Sequence, residues 1–499
     1  MSTTRRSPIW LVIAAASLPM FMATLDNLVV TNALPVLAKD LGASIEQLQW
    51  FINAYALSFA SLILMAVALG DRFGRRRVFV TGIVIFTTAS ALCALATTPA
   101  QLIVARVLQG AGGAAVMPLS LAILAGSVTT KMRPLAIGIW GGVAGLGVAL
   151  GPLIGGAVVE GISWHAIFWL NVPVGLLAIP LILVALREAR GDRAPLDIVG
   201  LALGVGAVFG IVFGIVRGND AGWASSQVLG GLVGGGALLI AFVLWESRNP
   251  APLLPLALFK DRSFTVANTL ALAFSFGIFG AIFILIQFMQ VVQGRSPLQA
   301  GVLTMPWTMA PLLIAPIAGM IAPRVGTRAL LMTGMASMSV GLAWIALVMS
   351  PTTAYVDFVP GFILCGIGMG LVFAPLATVV LSQMREADHA KASGTNSTLR
   401  EIGGALGIAV LTAVFTGSGG QFTPAEYTHA AIPALYTGVG ALIVATALTF
   451  LLPAGRGTGG AADAAEHAAG HAAEHAADAE GHAAGNEADE ELVPARVGA

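Results

Sequence analysis

The stretch VALGDRFGRR, residues 67–76, follows a long apolar run and returns in altered form as GMIAPRVGTR at residues 319–328. In both copies a small or apolar residue is followed two positions later by an aliphatic one. The pattern R-x-G-x-R, or a basic variant of it, comes next. Each copy lies after the second apolar run of its half of the chain. A shared turn at equivalent places predicts an internal duplication, with two halves of similar architecture.

The composition predicts that both halves lie in a membrane. Of the 499 residues, 57% are hydrophobic and 10% are charged, whereas a soluble protein carries about 25% charged residues. A membrane span needs about 20 mostly apolar residues. Fourteen candidates, spans 1 to 14, are found near 9–32, 48–69, 78–97, 101–124, 135–159, 166–186, 197–216, 228–246, 265–290, 300–322, 329–349, 358–381, 401–417 and 431–452.

The spans predict an all-α polytopic membrane protein with four regions. Residues 1–190 hold a six-helix bundle, spans 1–6, and residues 261–452 hold a second, spans 9–14. Residues 191–260 hold an inserted two-helix hairpin, spans 7 and 8. Residues 453–499 form a low-complexity tail of Ala, His and Glu. His467, His471 and His475 repeat every fourth residue there, so metal binding remains an alternative to a solvated tail.

Basic residues predict the orientation, because Lys and Arg stay on the cytoplasmic side. With a cytoplasmic N-terminus, the inner segments hold 20 of the 25 Lys and Arg, and the outer loops hold Lys39, Arg217 and Arg295. This distribution favours an even span number with both termini cytoplasmic. The opening MSTTRRSPIW leads into a run too long for a signal peptide, which predicts an uncleaved first span in the cell's inner (plasma) membrane.

Asp26 lies in an apolar span, in the stretch MATLDNLVVTNALP at residues 22–35. A charge at that depth costs at least ~2.5–3.5 kcal/mol. Burial favours the neutral carboxyl group, whereas a nearby cation favours the carboxylate. One acid can therefore hold a proton or serve a cationic substrate, which is the minimal chemistry of antiport. The alternative is a structural role, with Asp26 bonded to Asn27 or to a neighbouring helix.

Several motifs together resemble one family. GDRFGRRR at 70–77 resembles the loop signature of the major facilitator superfamily, with Val67 where glycine is usual. LDNLVVTNALP at 25–35 and LIVARVLQGAGGAA at 102–115 resemble the first-span and fourth-span motifs of its drug–proton antiporters. GIWGGVAGLGVALGPLIGG at 138–156 fits their fifth-span pattern. WHAIFWLNVPVG and VVQGRSPLQAG are similar to the fourteen-span antiporters in particular.

The resemblance implies a role for each motif. Arg106, with Gln109 and Gly110, would couple proton movement at Asp26 to the substrate cavity. The loop residues would latch one conformation against the start of span 13; they are Asp71, Arg72, Gly74, Arg75 and Arg76. The fifth-span residues would close the interface between the halves and oppose leak; they are Gly138, Gly147, Gly151, Pro152, Gly155 and Gly156.

Nucleotide hydrolysis is not expected to supply the energy, because no G-x4-G-K-[ST] phosphate loop occurs in the sequence. We therefore expect a monomeric secondary exporter that uses the proton gradient, with no cofactor, no metal and no nucleic-acid partner. Its partners would be protons, a small-molecule substrate and membrane lipid. Two alternatives stay open: a proton-coupled transporter of a lipid or polar nutrient, and a non-transporting sensor. An enzyme is disfavoured, because the spans carry no cluster of catalytic residue types.

Adaptable apolar residues predict the substrate class. Met22, Asn53, Phe276 and Trp307 are the candidates for an apolar cavity. Spans 9–14 offer no clear second acid in mid-membrane, because Glu401 is expected to pair with Arg400 or cap the start of span 13. The expected substrate is therefore a lipophilic cation or a neutral amphiphile, such as a drug or an antibiotic.

Overall fold

The computed structural model describes residues 8–129, 132–190, 195–381, 384 and 389–453, and within these ranges all regular secondary structure is helical. The tail from residue 454, with its three histidines, lies outside the described residues. The helices are Ile9–Leu41, Ile45–Phe73, Arg75–Ala94, Pro99–Ser127, Arg133–Gly161, Trp164–Trp169, Asn171–Ala185, Ile198–Ala221, Ser226–Glu246, Leu256–Lys260, Arg262–Gln287, Phe288–Val292, Pro297–Leu303, Met305–Thr308, Ala310–Val325, Thr327–Val348, Tyr355–Leu381, His389–Gly417, Pro424–Leu448 and Thr449–Leu451.

Fourteen of these segments are long and apolar enough to cross a membrane, which confirms the predicted number. Spans 6 and 10 are interrupted. Span 6 joins the helices Trp164–Trp169 and Asn171–Ala185, and span 10 follows a first turn at Pro297–Leu303 with two further helices. Span 9 ends in a π-helical turn at Phe288–Val292, a local widening of the helix that is frequent at functional sites.

Span 13 differs from the prediction, because its helix begins at His389 rather than near residue 401. The sequence HAKASGTNSTLR is too polar to look like a span. Its small side chains nevertheless pack on span 2, where Thr398 Oγ1 donates to the carbonyl of Ala60 at 3.2 Å. Glu401 therefore lies deep inside the helix and cannot cap its start. The expectation that spans 9–14 lack a mid-membrane acid is wrong.

The turn between spans 2 and 3 depends on Gly74. Its φ of 117° lies in the region that favours glycine. A Cβ at this position would approach the Glu188 carboxyl group to 2.7 Å. The glycine of the duplicated turn thus permits both a reversal of the chain and a close contact with the end of span 6.

The inserted hairpin of spans 7 and 8 is held together by small residues. A Cβ on Gly210 of span 7 would lie only 3.0 Å from Gly235 and from the carbonyl oxygen of Gly231 on span 8, as expected where helices pack closely in lipid. Span 7 also packs on both halves of the protein, against span 2 and span 13. Val212 and Val216 share an apolar cluster with Trp50 of span 2, and Asn219 donates to Thr416 of span 13 at 2.6 Å.

The two halves are closed at the outer end and separate between spans 5 and 10 toward the inner end. A Cβ on Gly156 would strike the backbone of Pro297 and Leu298 of the other half. Farther inward along span 5, a Cβ on Gly145 would lie 3.7 Å from Leu312, and one on Gly141 would have nothing within 4 Å. The halves stay in contact between spans 2 and 13 toward the same end, where Thr398 bonds to Ala60.

Candidate functional site

Asp26 and Arg106, the two predicted proton-coupling residues, form a direct ion pair. Arg106 Nη1 lies 2.6 Å from Asp26 Oδ2, and the two side chains are 0% and 1% exposed. Asp26 is 17 residues from the start of span 1 at Ile9 and 15 from its end at Leu41, so it lies near the middle of the span. The sequence-based expectation of an ionisable residue at membrane depth therefore agrees with the structure.

The carboxylate of Asp26 accepts from two further side chains. Gln109 Nε2 and Asn171 Nδ2 both donate to Oδ1, at 2.9 Å and 2.7 Å. Asn171 in turn donates to Ser90 Oγ at 3.0 Å. The site therefore joins spans 1, 3, 4 and 6 of the N-terminal half through one carboxylate. Three charge-assisted hydrogen bonds of this length offset much of the desolvation cost of the anion.

Arg106 is held from span 2 as well. Its Nε donates to the carbonyl of Phe51 at 3.0 Å, and its guanidinium carbon lies 4.3 Å from the centre of the Tyr55 ring. Gly110, one turn along span 4, makes this possible because a Cβ there would collide with the Tyr55 carbonyl. The fourth-span motif thus brings the arginine against two helices at once. Among the described residues, Arg106 Nη2 alone in the guanidinium has no hydrogen-bond partner.

The ion pair of Asp26 and Arg106 depends on the charge of the carboxylate. While Asp26 is ionised, the pair is neutral overall and ties spans 1 and 4 together. A proton on Asp26 would remove the ion pair but leave Arg106 its contacts with Phe51 and Tyr55. Because both side chains are shielded from water, the loss of the pair is worth more here than at a surface.

The loop residues form a network of their own at the end of the bundle that is predicted to be cytoplasmic. Arg75 Nε donates to Asp71 Oδ1 at 2.7 Å, and the backbone N–H of Arg76 donates to Glu188 Oε1 at 2.9 Å. Arg72 lies over the Phe73 ring. The turn is thereby tied to the end of span 6. In the structure Asp71 pairs with Arg75, and the predicted latch between Asp71 and the start of span 13, near SGTNSTLRE at 393–401, stays a prediction.

The fifth-span glycines divide between two partners. A Cβ on Gly147, Gly151 or Gly155 would press on span 1, at 3.1, 2.7 and 3.0 Å respectively. Gly156 instead contacts the C-terminal half, as does Pro152, whose carbonyl meets Gly301. The predicted contact between the halves is therefore found at the outer end of the motif, at Pro152 and Gly156. The other three glycines pack against span 1, within the N-terminal half.

Gly138 belongs to the same helix, and its surroundings lie outside the described residues.

The sequence analysis missed Asn32, whose side chain bridges the halves at the closed outer end. Asn32 Nδ2 donates to the carbonyls of Pro152 and Pro297, both at 2.8 Å. Gln290 Nε2 of span 9 donates back to Asn32 Oδ1 at 2.9 Å. The signal was present in the sequence, since Asn32 and Gln290 are polar residues near the ends of otherwise apolar runs. Nothing in one sequence, however, indicates that they meet.

The four predicted cavity residues are placed in different environments. Trp307 lines a small cavity of about 20 Å³ below the outer closure, together with Leu28 and Pro152. Met22 is buried in the core of the N-terminal bundle, whereas Asn53 is 0% exposed on span 2. Phe276 packs partly buried against the large core cluster. The structure does not bring these residues together at one site.

A family model described as Major Facilitator Superfamily matches residues 16–197 and 198–408. The chain belongs to this superfamily. It is 34% identical over 431 residues to the tetracenomycin C resistance and export protein of Streptomyces glaucescens, covering 85% of this chain and 79% of that protein. It is 36% identical over 463 residues to the cephamycin export protein CmcT of Amycolatopsis lactamdurans, covering 91% and 94%.

The fold is also that of solved transporters. The crystal structure of a mutant of the nucleoside transporter NupG matches with a TM-score of 0.62 at 12% identity, covering 89% of this chain and 100% of that one. This likeness concerns the fold alone. Together with the resistance and export proteins among its relatives, it makes this chain a multi-pass efflux transporter of the superfamily.

Proposed function

We propose that this protein is a proton-coupled antiporter that exports lipophilic, cationic or neutral amphiphilic drugs or antibiotics from the cell. It would work as a monomer in the plasma membrane, with both termini cytoplasmic, and without a cofactor. The names of its relatives support the substrate class, because they include multidrug and antibiotic export proteins. The observation that carries the proton coupling is the buried pair of Asp26 and Arg106.

The proposed cycle uses the two conformational elements of the structure. With the outer end closed by Asn32 and a gap between spans 5 and 10 toward the inner end, substrate would enter between these two spans from the cytoplasm or inner leaflet. Proton release from Asp26 would form the pair with Arg106, and proton uptake would break it. Because the pair ties span 1 to span 4, and Asn32 lies on the same span 1, the protonation state and the outer closure share one helix.

Asp26→Asn tests the coupling. The asparagine keeps the shape and can still accept from Gln109, but it cannot exchange a proton. We expect substrate-induced proton release from the purified protein to fall below detection, together with loss of drug resistance in cells. The matched control is Asp40→Asn, which changes the same residue type on the exposed end of the same helix and should retain wild-type release. Normal proton release by Asp26→Asn would remove Asp26 from the coupling mechanism.

A further inference from the structure

A second acid lies deep in the C-terminal half, where Glu401 is found on span 13. It is 12 residues after His389 and 16 before Gly417, which corresponds to about 18 Å and 24 Å from the two helix ends at 1.5 Å per residue. Its side chain is 13% exposed. The mechanism described above does not use this carboxylate, so its retention at this depth needs a separate reason.

Contacts along span 2 define where Glu401 lies. The two helices are antiparallel, and a Cβ on Gly394 would meet the Leu64 side chain at 2.7 Å, while Thr398 bonds to Ala60. Continuing this register by one helical turn places Glu401 level with Leu57. Asn53 lies one further turn along span 2, so Glu401 and Asn53 are separated by about one helical turn. We call this line of contact between the halves the 2–13 seam, residues 53–64 of span 2 and 394–405 of span 13.

The lipid side of the seam is covered by the inserted hairpin. Ala405, one turn beyond Glu401, shares a buried cluster with Leu57 of span 2 and Val212 of span 7. On the other side, a Cβ on Gly404 would lie 3.3 Å from the Phe279 ring of span 9. Glu401 therefore points into the protein between the halves and away from the acyl chains.

Polar groups at this seam lack the partners that such depth demands. Among the described residues, the Glu401 carboxylate has one ion-pair partner, Arg400 Nη2 at 3.8 Å. This distance is longer than a charge-assisted hydrogen bond of about 2.7–2.9 Å. Asn53 is 0% exposed, and neither its Oδ1 nor its Nδ2 has a partner among the described residues. Buried polar groups are normally satisfied. The unsatisfied side-chain amide of Asn53 is a second observation, independent of Glu401.

We propose that Glu401 and Asn53 form a subsite in the 2–13 seam for the protonated amine of the transported substrate. This rests on the proposed function and narrows its substrate class to amphiphilic amines. An ammonium N–H would donate to the Glu401 carboxylate and to Asn53 Oδ1, while Asn53 Nδ2 would donate to an acceptor of the substrate. Arg400, 23% exposed beside the acid, is the internal cation that the substrate displaces.

Asp26 does not suit this role in the conformation described. Its carboxylate already accepts from Arg106, Gln109 and Asn171, and it is 2% exposed. A substrate amine would have to replace bonds that are already short. The proton site and the substrate-charge site are thus different groups on different halves.

A matched pair of fluorescent ligands tests the subsite with the purified full-length protein. Dansylcadaverine carries a primary amine that is protonated at pH 7, and its N-acetyl derivative has the same fluorophore without the charge. Wild type should bind the amine more tightly. Glu401→Gln should weaken amine binding by at least about tenfold, the effect of losing one charged hydrogen bond. Binding of the acetylated ligand should stay within about twofold.

Three further variants keep the test decisive. Glu401→Asp retains the charge and should retain the preference for the amine, and Asp357→Asn, exposed at the outer end of span 12, should match wild type. Asn53→Leu removes no hydrogen bond within the protein, so it should fold at least as well as wild type and still weaken amine binding.

Equal binding of both ligands by wild type, or equal losses for both in Glu401→Gln, would overturn the proposal. So would unchanged amine binding in Asn53→Leu. The assay needs no proton gradient, so its failure leaves the proton-release test of Asp26 unaffected.

Discussion

Two acid–arginine pairs lie at membrane depth in this molecule, and they are built differently. Asp26 and Arg106 come from two helices, meet at 2.6 Å and are shielded from solvent. Glu401 and Arg400 are neighbours on one helix, lie 3.8 Å apart and remain partly exposed. The first carboxylate has two further donors, whereas among the described residues the second has none that meets hydrogen-bond distance.

The difference separates two tasks that a single acid could in principle combine. A saturated and desolvated pair holds helices together and changes only when a proton breaks it. A loosely paired carboxylate has acceptor capacity left over and can exchange one cation for another at small cost. An antiporter with both pairs can take up its proton in one half and recognise the charge of its substrate in the other.

The largest expected effect that would test this comparison is at Arg106. Arg106→Met leaves the Asp26 carboxylate buried without its cation, which typically costs about 3–5 kcal/mol of stability. The free energy of unfolding in detergent should fall by that amount. Cys93 and Cys365 are both buried, so a thiol-reactive dye would label only unfolded protein and report the transition. The double variant Asp26→Asn with Arg106→Met should recover most of the loss, because no unpaired charge remains.

An Arg106→Met protein as stable as wild type would show that the pair does not hold spans 1 and 4 together. The distinction between the two pairs would then have no structural basis.

Sequence reasoning predicted the fold because the physics that sets it is local. Apolar runs of fixed length and the placement of basic residues require no knowledge of contacts, and they gave the span number. The same holds for Asp26 and Arg106, since an ionisable residue in an apolar run stands out without a partner. Polarity misled at span 13, where small polar residues pack on span 2 and the helix extends 12 residues earlier than predicted.

The hydrogen-bond partners of these residues could not be predicted, because they lie far away in the sequence. Asn171 is 145 positions from Asp26 in the chain, and Gln290 is 258 from Asn32. Such pairs depend on how helices are ordered around each bundle and on how the halves meet. One sequence carries no record of that arrangement. The assignment of Gly151 and Gly155 to span 1, rather than to the other half, required the structure for the same reason.

A smaller effect is expected for a substitution at Asn32. It tests whether hydrogen bonds between the halves, unlike those inside one half, hold the outer side closed. Asn32→Leu removes two hydrogen bonds across the outer closure, one donated to Pro297 and one accepted from Gln290. It also removes the bond donated to Pro152, which lies within the N-terminal half. Each net bond contributes about 0.5–1.5 kcal/mol, so the equilibrium should shift toward an open outer side by about one order of magnitude or more. A cysteine at Thr304, which lines the small outer cavity, should then react faster with a membrane-impermeant maleimide in a background lacking Cys93 and Cys365.

The matched control for this shift is Gln293→Leu. Gln293 lies three residues beyond Gln290 and donates to the Thr353 carbonyl at 3.1 Å, a bond inside the C-terminal half. Its loss should leave the reactivity at residue 304 unchanged. Equal reactivity in the two variants would mean that Asn32 does not hold the outer side closed.

The smallest effect is expected at Arg400, and it decides whether the second pair is loose. Because the contact is long and the guanidinium is 23% exposed, Arg400→Met should lower the free energy of unfolding by less than about 1 kcal/mol. Removing the internal cation also leaves Glu401 unshared, so dansylcadaverine should bind up to about fivefold more tightly, the equivalent of 1 kcal/mol. Thermal unfolding and fluorescence titration measure the two quantities on the same sample. If Arg400→Met were as unstable as Arg106→Met, both pairs would be structural, and substrate charge would have to be recognised elsewhere.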